Sequence, residues 1–246
     1  MGRLTYTTQE AQDRLDAVGT LVRPNLLENW YFYGGGSQQG GGQFPINQRG
    51  QTSYSGGGYE IDRWWWWTTN NLTLSNGETR LNGIVVQKLD PVFFGTMLGS
   101  TLTISALVSG VGLITSTRQW SDTDPIDVSG GAVSITAGNK VPGYNINYPV
   151  FVIQTTAPTT IYAAKLELGT TQTLAHWSEA AQEWVLNEVP NYQQELAKCQ
   201  RYYQLYQTQS IRPTYAADCR PVMRANPAQS TITISGVTYY ANSADL

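Results

Sequence analysis

Charge is scarce in this chain of 246 residues: Asp, Glu, Lys and Arg make up 13% of it, about half the ~25% of an ordinary soluble domain. The net charge is −3 and Lys and Arg nowhere cluster, which argues against nucleic acid and against an anionic membrane as partners. Long apolar runs are also missing. No stretch of about 18 apolar residues offers a membrane span, and the opening MGRLTYTTQEAQDRL lacks the apolar centre of a secretory signal. The expectation is a protein made and assembled in a cytoplasm. His176, in LAHWSE, is the single histidine, so a His-rich metal site or a Ser-His-Asp relay would have to be built around it alone. A local packing or hydrogen-bonding role is expected for it. Cysteine is limited to Cys199 and Cys219; a disulfide between them is the alternative to the free, buried thiols that a chain folding in a reducing compartment usually keeps. No cofactor is expected.

What is plentiful is Gly, Thr, Ser, Gln, Asn and Tyr, a surface that binds through hydroxyl and amide groups. Trp64, Trp65, Trp66 and Trp67 follow one another without a break. Consecutive strand side chains alternate between faces. One core therefore takes two of these indoles, and the other two need a ligand, a neighbouring chain or a covering loop. Pyranose rings present flat C–H faces that stack on indole, and Asp62, Arg63, Asn70 and Asn71 stand close in sequence to hydrogen-bond hydroxyls. Packing of all four indoles between sheet, loop and subunit is the competing reading.

Residues 7–18 read as a short amphipathic helix in an attachment segment, 1–24. Thr7 and Glu10 form a capping box, Ala11, Leu15 and Val18 share a face, and Gly19 stops it. Three turns do not hold alone in water, so this stripe docks on another part or forms a seam between identical chains. From Asn25 to about Leu174 no convincing helix appears, and the pattern is all-β. In TLTISALVS, Leu102, Ile104, Ala106 and Val108 share one face and Thr101, Thr103, Ser105 and Ser109 the other. IYAAKLELG repeats the device, with Tyr162, Ala164, Leu166 and Leu168 inward and Lys165 and Glu167 outward. AVSITAGN and PVFVIQTT are further strands. Short strands without crossover helices predict an antiparallel sandwich or jelly roll over 25–186. GGGSQQGGGQ at 34–43 is either a solvated insertion or a lid over the tryptophans.

Beyond Pro190 the pattern changes. NYQQELAKCQRYYQLY places Tyr192, Leu196, Cys199, Tyr203 and Tyr206 on one helical face, with Asn191 and Gln194 as cap and N3 partner, predicting a helix of about four turns. TITI and VTYY flank Ser235-Gly236, a two-residue hairpin turn. Residues 187–246 are thus a small α+β element whose thin core packs against the sandwich or against its counterpart in another subunit. Glycoside hydrolysis uses two carboxylates roughly 5–10 Å apart. Asp122, Asp124 and Asp127 in SDTDPIDVSG instead read as a solvated turn around a proline or a weak calcium site, without EF-hand-like spacing. No catalytic residue and no metal ligand is assigned.

NLLENWYF at 25–32, INQRGQTSYSGGGYEIDRWWWW at 46–67 and YAAKLELGTTQTLAHW at 162–177 together resemble the jelly-roll, carbohydrate-binding-module-like domains of bacteriophage and prophage fibre proteins. KCQRYYQLY, RPVMRANP and the YYANSADL ending resemble the carboxy-terminal region that follows them. The resemblance implies a virion protein, homotrimeric and non-enzymatic, that engages polysaccharide on the bacterial surface. It also implies attachment to other virion proteins, here through the amino-terminal segment. The chain departs from the pattern in the three tryptophans after Trp64 and in the inserted glycine-rich stretch.

With Trp64 as the customary inward residue, alternation sends Trp66 inward and leaves Trp65 and Trp67 as a sugar platform. Arg63 is a polar partner, and Tyr54, Tyr59 and Trp120 are its walls. One stacking indole adds on the order of 1 kcal/mol beyond its area burial, giving about millimolar affinity per site. Three sites engaged together raise that about a hundredfold. The alternatives are a structural head-fibre or capsid decoration protein whose tryptophans seal subunit contacts, and a binding module of a glycan-degrading system.

Overall fold

Alternating β-branched and polar residues build strands from Ser53 onward in the computed structural model, which describes residues 22–33, 44–56, 58–59, 61–66, 71–75, 77–139, 148–234 and 236–244. The helix expected over 7–18, the glycine-rich stretch 34–43 and Trp67 lie outside the described residues, as does the side chain of Trp66. The strands are β1 (Ser53–Ser55), β2 (Gly58–Tyr59), β3 (Trp65–Trp66), β4 (Asn71–Ser75), β5 (Glu78–Asn82) and β6 (Ile84–Lys88). They continue as β7 (Thr101–Val108), β8 (Gly112–Gln119), β9 (Ile126–Gly130), β10 (Val133–Gly138), β11 (Val150–Thr155) and β12 (Thr159–Leu168). These twelve form two six-stranded antiparallel sheets, β1-β4-β5-β12-β7-β8 and β2-β3-β6-β11-β10-β9. A mainly β, antiparallel chain is what the residue pattern predicts.

Both sheets feed one core. Leu72, Leu81, Ile104 and Leu166 come from the first, and Val85, Ile135, Phe151 and Ile153 from the second, each side chain contributing about 1.5–3 kcal/mol by burial. Between β6 and β7 lies a five-residue helix, Pro91–Gly95, which the all-β reading did not anticipate. Asp90 Oδ1 caps it by accepting from the N–H groups of Val92 and Phe93 at 2.8 and 3.1 Å, with Pro91 in the first turn, where its missing N–H costs nothing.

Two expectations for β7 and β12 are corrected. The bulge in β12 pairs Ile161 with Val108 and Ala163 with Leu107, so Tyr162 is the extra residue and leaves the inward face. Leu168, at the end of the strand, is exposed. Lys165, Glu167, Thr103 and Ser105 do lie on the outward face, yet none meets solvent. A second layer covers them: the segment after Gly169, with the hairpin β13 (Ala175–Ser178) and β14 (Glu183–Leu186).

The carboxy-terminal element holds the helix Tyr192–Gln200 and a sheet of β15 (Tyr203–Tyr206), β16 (Ala228–Ile234) and β17 (Val237–Ser243), in the order β15-β17-β16. Asn191 Oδ1 accepts from Gln194 N–H at 3.1 Å, as the capping pattern predicts. The helix is shorter than predicted. After Arg201 the tyrosine-rich run turns into β15, because pairing with β17 offers YQLY a full ladder that a further helical turn would forfeit. β16 and β17 pair up to Ile234 opposite Val237, and Gly236 has φ +80°, suited to a tight hairpin turn. The element packs on the two-sheet body: Cys199 lies with Phe44 and Ile46, and Gln48 Nε2 donates to Tyr203 O at 2.9 Å. Gly50 approaches Ile234 so closely that an added Cβ would lie 2.6 Å from its Cγ2.

Candidate functional site

Three of the six residues expected to bind sugar are enclosed. Arg63, Tyr54 and Trp120 are buried. Tyr54 belongs to the core and donates its hydroxyl to Asn47, while Trp120 packs on Phe94 with ring centroids 5.3 Å apart. Tyr59 and Trp65 are half-buried and directly opposite in β2 and β3, so the structure brings these two together. Trp65 lies on the outer side of the second sheet beside Val86 and Tyr148, with Lys88 Nζ 4.8 Å from its ring. Trp67 is outside the described residues. Trp64 points inward with no exposed surface and donates its indole N–H to Asn29 O at 2.9 Å.

The segment Ile61 to Trp64 is therefore a structural joint. Asp62 accepts from Gln48 N–H at 3.0 Å and from Arg49 at 2.7 Å. Arg63, at φ +72°, pairs with Glu28, donates to Lys88 O at 2.9 Å and stacks 3.6 Å from the centre of the Tyr202 ring. Burial opposes its charge, but Glu28 and the surrounding acceptors more than offset this and raise its pKa above the ordinary guanidinium value. Asn29, at φ +52°, locks the joint by donating to Ile46 O and Asp62 O and accepting from Ile46 N–H, all within 2.9 Å. Apart from Arg63 Nη1, buried without a hydrogen-bond partner among the described residues, these polar groups pair with one another.

An open aromatic cleft of about 720 Å³ lies elsewhere, between the outer face of the first sheet and the β13–β14 hairpin. Residues 26–32 run beside β12, with Leu26 N–H bonded to Leu166 O and Phe32 N–H to Tyr162 O. Alternation then puts Trp30 and Phe32 in the core and Tyr31 and Tyr33 outside. The bulge adds Tyr162, whose ring centroid is 5.6 Å from that of Tyr33. Across the cleft Trp177 and Trp184 are cross-strand partners, 5.8 Å apart and inclined at 72°. Trp177 is 43% exposed and Tyr33 57%. Trp184 rests on the β7–β8 turn at Gly112, where φ is +85° and an added Cβ would meet the indole nitrogen at 2.8 Å. Burial and the neighbouring Tyr33 push the Tyr31 hydroxyl pKa up, so it stays a neutral hydrogen-bonding group. Glu183 is the one carboxylate among the described lining residues, and no Lys or Arg is among them.

The Lys165-Leu166-Glu167-Leu168-Gly169 motif anchors the hairpin that carries both indoles. Lys165, fully buried, donates to Glu188 at 2.6 Å. Glu167 accepts from Thr173 N–H at 2.7 Å and from its hydroxyl. Asn187 closes the hairpin base by donating to Thr173 O at 3.0 Å, and its Oδ1 lies 2.6 Å from His176 Nδ1, which gives His176 a hydrogen-bonding role. Cys199 and Cys219 are free and buried. Asp122 accepts from Asn139, and Ser121 Oγ accepts from Asp124 N–H in an exposed turn. Among the described residues no three His, Cys, Asp or Glu side chains gather to hold a metal, and no helix is long and apolar enough to cross a membrane.

None of Tyr31, Tyr33, Tyr162, Trp177 and Trp184 is among the residues that the sequence pattern assigns to the sugar platform. A signal existed: WYFY at 30–33 carries aromatics on both faces, and a strand has only one core to fill. No family model, curated protein or solved structure matches the chain.

Proposed function

We propose that this chain is a non-enzymatic virion fibre protein that adheres to bacterial surface glycan, with its two sheets arranged as a jelly roll. The platform is the cleft of Tyr33, Tyr162, Trp177 and Trp184, in place of Trp65 and Trp67. The observation that carries the reading is Trp177, a large indole left 43% exposed beside a second indole and two tyrosines. Such clusters are costly to leave wet and mark binding surfaces. The jelly-roll arrangement is supported by a chain that passes repeatedly between the sheets: β4 and β5 in the first, β6 in the second, β7 and β8 in the first, β9 to β11 in the second, β12 in the first. The non-enzymatic reading rests on the family resemblance; the described lining of the cleft holds a single carboxylate, where glycoside hydrolysis uses a pair. The virion setting, the trimer and attachment through the amino-terminal segment rest on the family resemblance.

Replacing Trp177 and Trp184 by Ala tests this. The double variant is expected to lose binding to purified surface polysaccharide and to cells, by about tenfold or more per site, while sedimentation still reports the wild-type assembly. Dissociation of the assembly with sugar binding retained would instead assign the indoles to subunit contacts, as in a structural fibre or decoration protein.

A further inference from the structure

The lining of this cleft selects among glycans by charge and by shape. Its described residues include no cation. Among basic groups on or near this outer face, Lys165 is fully buried on Glu188 at 2.6 Å, Arg23 donates to Thr171 O at 3.0 Å, and Arg80, exposed on β5 opposite Thr160, is not among the described lining residues. His176 shares β13 with Trp177, but alternation turns it to the opposite face, where it meets Asn187. A sugar carboxylate or phosphate entering here would give up hydration with no cation to replace it. Glu183, exposed and the one carboxylate among the described lining residues, adds a like charge nearby. A pyranose bearing only hydroxyl or acetamido groups meets neither penalty, and tyrosine hydroxyls can donate to it or accept from it.

Shape narrows the choice. Two indoles inclined at 72° with centroids 5.8 Å apart make a corner, and Tyr33 and Tyr162 meet at 45°. An extended chain lying flat needs near-coplanar rings spaced along a floor. A corner instead receives one ring, its C–H face on one indole and its edge against the other. A volume of about 720 Å³ falls within the roughly 300–1,000 Å³ of small-ligand clefts, room for a short oligosaccharide.

We infer, resting on the glycan reading of this cleft, that its ligand is an uncharged glycan grasped at a chain end or over a short stretch, and that uronate-, sialate- and phosphate-bearing saccharides are rejected.

Calorimetric titration of the intact full-length assembly at low salt decides the matter. The probes are uncharged trisaccharides of glucose, galactose, mannose or N-acetylglucosamine, set against trigalacturonate. At least one uncharged probe is expected to saturate the protein, with trigalacturonate at least about tenfold weaker. The gap should narrow in Glu183→Lys, which supplies the missing cation, and as salt screens the exposed carboxylate. Trigalacturonate binding as tightly as the best uncharged probe, in a manner lost in Trp177→Ala, overturns the charge selection and leaves the glycan reading standing. Heats from no saccharide of either kind overturn both.

Discussion

Trp64 and Trp177 show the same side chain put to opposite uses. Trp64 has no exposed surface and spends its N–H on Asn29 O. Trp177 keeps nearly half its surface in water, with a second indole at its edge. A comparable division separates the charged residues. Arg63 and Asp62 are engaged in internal pairing, while Glu183 is exposed at the cleft. Cys199 belongs to the interior group: burial, and then Asp62, push its thiol pKa well above the ordinary 9.0. The folded chain therefore keeps it protonated while the unfolded chain ionises, so its contribution is complete below about pH 9 and is lost as pH rises beyond. Unfolding midpoints in urea should hold up to that pH and then fall, by up to about 1.4 kcal/mol per pH unit from this group. The raised tyrosines, Tyr31, Tyr192 and Tyr202 among them, steepen the fall above 10.0. Cys199→Ala should remove the first part of the decline, and a midpoint unchanged in the wild type well past pH 10 would contradict the assignment. At this scale the sequence marks the run Trp64 to Trp67 without saying which indole is structural. Trp64 is inward, as the resemblance implies, but that Arg63 would turn in at φ +72° onto Glu28 depends on a partner some thirty-five positions away.

The β13–β14 hairpin is the element on which the site depends. Short two-stranded ribbons are marginal alone, so its position is set by the Lys165–Glu188 pair, the Glu167–Thr173 bonds and the seat of Trp184 on Gly112. Glu188→Ala leaves Lys165 buried without its carboxylate, a loss on the order of 3 kcal/mol. The expected outcome is a lower melting temperature together with weaker glycan binding; full binding at unchanged stability would show that the tether does not hold the cleft. The carboxy-terminal element depends on its tyrosines in the same way. Tyr203 is buried under the Arg49 guanidinium, 4.0 Å from its ring centre. Tyr203→Asp should free the element from the body, so that limited proteolysis cuts near residue 190; unaltered resistance would count against this packing. Strands such as TLTISALVS and the Asn191 cap are legible because their signals are local. The end of the helix at Gln200 and the bulge at Tyr162 are not, because both are decided by the strands that pair with them.

For the whole molecule, a charge-poor chain has built two sheets around one core and laid a second layer on one outer face. The cleft is the seam of that layer. Its walls come from residues 31–33, from the β7–β8 turn with the β12 bulge, and from residues 177–189, segments far apart in the chain that the first sheet and its hairpin bring together. Hence the fold class is legible from spacing, whereas the platform is not: the adjacent tryptophans at 64–67 are conspicuous in the sequence, and the paired ones are assembled by pairing. In a trimer three such corners would act together, and weak sites would add up to firm adhesion. The chain has eight tryptophans, so its indole N–H resonances form a small, assignable set that reports on every candidate at once. In a titration with a fragment of neutral surface polysaccharide, Trp177 and Trp184 should shift while Trp64 and Trp120 stay in place. Shifts confined to Trp65, Trp66 and Trp67, with Trp177 and Trp184 unmoved, would contradict the account.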